Sequence, residues 1–105
     1  LVHVEDVASA NVLAMKANVT DQVFNIGCQK ETTLNQLLNI LLEINNSNLS
    51  PIYKQERTVN SVNRRLADIT KAQTMLKFKP EIELCKGLAD LNVWYKKNNL
   101  INNIK

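Results

Sequence analysis

"LADITKAQTMLKFKP" (66–80) followed by "EIELCKGLADLNVWYKK" (81–97) is the stretch that decides the fold. Asp68 stands where a carboxylate can accept the free N–H groups of a helix start, and Ile69, Ala72, Met75 and Leu76 then recur on one side of a single short helix. Phe78 lies just beyond, and Pro80 forbids its continuation. A second helix is expected from about Glu81 or Ile82, with Leu84, Leu88, Leu91 and Tyr95 sharing a face. Gly87 falls in its middle, a position that costs about 1 kcal/mol relative to alanine unless close packing demands it.

Working back along the chain, Thr32 or Thr33 can cap a helix whose Leu34, Leu37, Leu38, Leu41 and Ile44 form one apolar stripe. Asn45 to Ser50 break it. Further back, Asp6 is a candidate cap for a helix through about Ala17. Three short segments read as strands: the start at Leu1, Val2 and Val4, then Gln22 to Gly27 with glycine at its exit, and Pro51 to Gln55 ahead of a polar loop reaching Arg65. The fold class is therefore α/β, with few short strands and about four helices. Such strands are too few and too short to complete a sheet alone. Residues 1–98 read as one segment and 99–105 as a frayed tail. The chain opens at Leu1, inside an apolar stretch, and so reads as a piece of something longer.

The totals exclude several function classes. Across 105 residues, 45% are hydrophobic and 22% charged, an ordinary globular balance. The net charge of +3 is mild and its lysines are scattered or gathered near the carboxy-terminal end, without the clustered basic face and interleaved aromatics of a nucleic-acid binder. No apolar run reaches the ~20 residues that span a membrane. No leader is evident, so the cytoplasm is the expected location. Cys28 and Cys85 share no C-x-x-C spacing, which predicts buried, reduced thiols and neither a zinc site nor a disulfide scaffold. The three Asn-x-Ser/Thr sequences at Asn18, Asn45 and Asn48 are read as chance in an asparagine-rich chain.

Four blocks, "VHVEDVASANVLAMKA" (2–17), "VFNIGCQKETTLNQLLNIL" (23–41), "LADITKAQTMLKFKP" (66–80) and "IELCKGLADLNVWYKK" (82–97), resemble in order and spacing the carboxy-terminal part of NAD-dependent epimerase/dehydratase enzymes. These are extended, Rossmann-type short-chain dehydrogenases that include UDP-glucose 4-epimerase. The resemblance implies a substrate lobe closing over a UDP- or dTDP-sugar, with NAD and a catalytic Tyr-x-x-x-Lys held in an amino-terminal Rossmann half. It implies epimerisation through transient oxidation of the sugar, with dehydratase or reductase chemistry as the alternative. A truncated, non-catalytic binding module is the rival of another class.

This chain carries neither of the amino-terminal signatures. Gly27 and Gly87 are its only glycines, so no glycine loop is available to let a dinucleotide approach the backbone. Tyr53 is followed four residues later by Arg57, and Tyr95 by Asn99, so Tyr-x-x-x-Lys is absent. NAD is thus expected in the complete enzyme and not on this segment.

A diphosphate suits a guanidinium, whose fork of N–H groups meets two oxygens at once. Family members have an Arg-x-Gly-Asp shortly before the "AD" turn, the arginine on phosphate and the acid near the ribose. Here the stretch is "ERTVNSVNRRLAD" (56–68). Thr58 and Ser61 stand where the arginine and acid are expected, and a shift of one residue recovers Arg57. The resemblance therefore points to Arg57 for phosphate, Arg64 second, and Ser61 in the acid's place, with the glycine missing.

The remaining candidates have structural readings. His3, the sole histidine, has no evident orienting partner for base catalysis and belongs to the scaffold. Glu56, Asp68 and Glu81 suit helix starts or exposed loops. Trp94 and Tyr95 are expected to pack the last helix onto the core and to hold a domain or homodimer edge, more than to stack on a base.

Overall fold

The computed structural model describes residues 1–55 and 64–102. Four helices follow in order, α1 (Val4–Lys16), α2 (Leu34–Ile44), α3 (Thr70–Leu76) and α4 (Leu84–Asn102). Among the described residues there is no strand, so the three expected strands are not formed. A strand exists only through backbone pairing with a neighbour, and Gln22–Gly27 and Pro51–Gln55 make no such bonds within the described chain.

Helix α1 begins two residues before the expected cap. His3 is the N-cap, its Nδ1 accepting the Glu5 N–H at 3.3 Å. Asp6, one turn in and 4% exposed, instead reaches across the chain, where its two carboxylate oxygens accept the Glu81 N–H at 3.0 Å and the Ile82 N–H at 3.2 Å. α4 starts at Leu84 and not at Glu81 or Ile82 as expected. One carboxylate thereby ties the first helix to the approach of the last.

The core is small. Ala10 of α1 meets Ile69, Ala72, Leu76 and Phe78, all nearly inaccessible, with Leu13, Ala17, Val19, Phe24 and Ile26 packed around them. Asp68 terminates the loop before α3 by accepting both the Thr70 N–H (2.9 Å) and the Thr70 hydroxyl (2.6 Å). Lys77 ends the helix in the left-handed region at φ 57°, and both it and Phe78 donate to the Ala72 carbonyl. That turn swings Phe78 back beneath the helix.

α2 carries a complete capping box, with Thr33 Oγ1 accepting the Gln36 N–H and the Gln36 side chain accepting the Thr33 N–H at 2.9 Å. It stops where Asn45 caps the Leu41 carbonyl and Asn46 turns left-handed, a conformation asparagine tolerates. Its apolar stripe packs against α4, yet no residue of α2 is fully buried. α4 runs through Asn102, past the expected fraying point. Gly87 allows close packing: a Cβ there would sit 2.8 Å from Cδ2 of His3. Leu84 and Leu88 are half-buried, whereas Leu91, Trp94 and Tyr95 are exposed, so the two aromatics do not pack onto this core as expected. Among the described residues no helix is long and apolar enough to cross a membrane.

Candidate functional site

Two backbone segments, together with Leu1 and Val2, line an open cleft. Ile26 to Lys30 leave the core toward α2, and Arg64 to Ala67 run in toward α3. They approach closely because Gly27 lacks a side chain: a Cβ there would lie 3.1 Å from that of Ala67. Gln29 turns the first segment with a positive φ of 54°. The resulting cleft has a volume of about 460 Å³. Its charged lining consists of Lys30, Arg64 and Arg65, with no carboxylate among the lining residues. A second cleft of about 320 Å³ lies on the other side of the two arginines, between them and the start of α2, and Glu31 is its one acid.

The basic groups are not equivalent. Lys30 is held by Glu83 at 2.9 Å, which raises its pKa. Arg64 donates from Nε to Glu31 Oε1 at 2.7 Å and from Nη2 to Oε2 at 2.6 Å, a two-bond fork joining segments 33 residues apart in sequence. Hydrogen bonding to Arg64 holds the Glu31 carboxyl below its ordinary range, and the same bonds push the Arg64 pKa up. Arg65 makes no ion pair among the described residues. Two of the three cations are thus paired with carboxylates, and Arg65 leaves the cleft with excess positive charge. No paired acid and base converge there, and among the described residues no cluster of three His, Cys, Asp or Glu could hold a metal ion.

Of the sequence-derived site residues, Arg64 lies at the wall shared by both clefts. Arg57 and Ser61 fall outside the described residues, as does Glu56. Arg65 and Glu31 were not singled out. The doubled arginine was a visible signal for the first, whereas the second becomes apparent only when the chain folds Glu31 against Arg64. His3 caps α1, Asp68 accepts the Thr70 N–H and hydroxyl although Ile69 and not Asp68 is the N-cap of α3, and Glu81 gives its N–H to Asp6, which accounts for all three without chemistry. Cys28 and Cys85 are both free thiols, but neither is buried as expected: Cys28 is half-buried and Cys85 exposed. Neither glycine offers a cradle for a dinucleotide, since Gly27 is packed against Ala67 and Ile69, and Gly87 against His3. The residues of this chain do not fit NAD.

No protein-family model matches the chain. A Methanocaldococcus jannaschii protein provisionally named UDP-glucose 4-epimerase is 39% identical over 98 residues, covering 93% of this chain and 31% of that protein. UDP-N-acetyl-alpha-D-glucosaminuronate decarboxylase of Bacillus cytotoxicus is 22% identical over 99 residues, 90% of this chain and 31% of its own. The crystal structure of Thermotoga maritima UDP-glucose 4-epimerase with UDP-glucose superposes with a TM-score of 0.83 at 40% identity, covering 94% of this chain and 31% of that one. The chain thus spans about a third of the length of the relatives it matches. In sequence and in fold alike, the chain is similar to the carboxy-terminal portion of UDP-glucose 4-epimerases.

Proposed function

We propose that the chain is the sugar-nucleotide-binding portion of an NAD-dependent nucleotide-sugar epimerase, working on a UDP- or dTDP-sugar in the cytoplasm together with an amino-terminal Rossmann half. The observation that carries this reading is the agreement of nearly the whole chain with a solved UDP-glucose 4-epimerase at 40% identity. The basic, acid-free cleft supports it, because a diphosphate needs donors that stay charged at every physiological pH. In this reading Arg57 and Arg64 grip the diphosphate, Ser61 stands toward the ribose, and Arg65 adds positive potential. NAD and the proton-transferring residues belong to the other half, and the residues here bind, orient and cover the substrate.

The decarboxylase similarity favours a second reading, in which the same lobe presents its sugar nucleotide to a different reaction. Its lower identity places it behind the epimerase.

The test is to express the complete coding sequence that contains this chain, and to follow UDP-glucose with NAD present. Inversion at the sugar's C4, together with a glycine loop and Tyr-x-x-x-Lys encoded ahead of Leu1, is the expected result. No inversion of UDP-glucose, together with release of carbon dioxide when a UDP-hexuronate replaces it, selects the second reading. An unrelated neighbouring domain and no turnover would leave a binding module and overturn both.

A further inference from the structure

We propose that Glu31 is a positioning residue for the anion site, holding Arg64 by one edge so that its other edge is presented to the diphosphate. This rests on the reading of Arg64 as a phosphate ligand. Glu31 takes Nε and Nη2 of Arg64. A guanidinium has five N–H donors, and a fork on that side leaves both Nη1 hydrogens and one on Nη2, a second edge able to make its own fork to oxygen.

The pair's exposure shows what it can contribute. The Arg64 side chain is 79% exposed and that of Glu31 38% exposed. An ion pair this open adds little to stability, and the positioning role rests on its two-bond geometry.

Glu31 is well placed to be the fixed partner. Two residues later Thr33 and Gln36 close the α2 capping box, and two residues earlier Gln29 sets the turn after the tightly packed Gly27. The carboxylate therefore stands on a short segment anchored at both ends. Arg64, a long side chain with several free torsions, would otherwise have to be ordered when the ligand arrives, and holding it beforehand removes that entropic cost from binding. The opposite role, a carboxylate occupying the guanidinium in competition with phosphate, would require the ligand to displace Glu31 from the edge it uses.

The experiment is calorimetric titration of uridine diphosphate into the full-length protein with NAD bound, using Glu31→Gln, Arg64→Lys and the double variant. Glu31→Gln should weaken binding about three- to tenfold, the range of one hydrogen-bonding interaction. It should raise KM for the sugar nucleotide with kcat unchanged, and Glu31→Asp should restore part of the loss. Arg64→Lys keeps the charge but has no fork to orient, so adding Glu31→Gln to it should cost nothing further. Unchanged or tighter binding in Glu31→Gln, with Arg64→Lys still weakened, overturns the positioning role and leaves the functional reading intact. Absence of uridine diphosphate binding by the unaltered protein overturns both.

Discussion

Single side chains tie together segments that lie far apart in this chain. Asp6 is the clearest case, since a nearly buried carboxylate accepts two backbone N–H groups from the far end of the chain. Asp6→Ala should lower stability by about 2–4 kcal/mol in urea unfolding, because both amides lose a charge-assisted partner. His3 and Gly87 form a coupled pair. Helix propensity alone favours Gly87→Ala by about 1 kcal/mol, but the new methyl would meet the imidazole at 2.8 Å. The gain should appear in a His3→Ala background and be missing or reversed with His3 present, as a double-mutant cycle will read. Asp68 gives a pH signature. The Thr70 hydroxyl, and after it the Thr70 N–H, hold its carboxyl below the ordinary range. A depressed folded-state pKa means that the contribution is complete above the unfolded value and is lost as pH falls through the folded one. The stability difference between the native protein and Asp68→Asn should therefore narrow as pH drops below about 4.

At the scale of elements, the helices were legible and the strands were not. α2 was readable because its signals are local: a threonine cap, a glutamine three residues on, and leucines at helical spacing. Thr33→Ala should accordingly cost about 1 kcal/mol by denaturant titration. α3 was equally local, although its N-cap is Ile69 and not the expected Asp68, and Lys77 in the left-handed region makes Lys77→Gly an expected gain of about 0.5–1 kcal/mol. The start of α4 lies at Leu84, two to three residues later than read, and the bonds from Glu81 and Ile82 to Asp6, about 75 residues away, had no local signal. Gln22–Gly27 was read as a strand from its apolar run, but composition reports what a segment is suited to, and pairing needs a partner. The candidate site was legible to the same extent. A basic stretch around Arg64 was visible in the sequence, whereas its partner Glu31 was not.

The whole molecule has surface that its own packing leaves bare. It exposes 9212 Å², against the ~6,000 Å² usual for a monomer of this mass. Its radius of gyration of 17.5 Å compares with the ~13 Å of a compact domain of this length. α1 shows why. Asp6, Ala10 and Leu13 face the core, while Val4, Ala8, Val12 and Met15 form a second stripe on the opposite side, with Val4 73% and Met15 77% exposed. A helix apolar on both sides is built to lie between two layers, and the proposed Rossmann half is the second layer. Amide hydrogen exchange across Val4–Lys16 tests this directly, comparing the 105-residue chain alone with the full-length protein bound to NAD. Strong protection of α1 in the full-length protein and rapid exchange in the chain alone is the predicted result, and equal protection in both would contradict it.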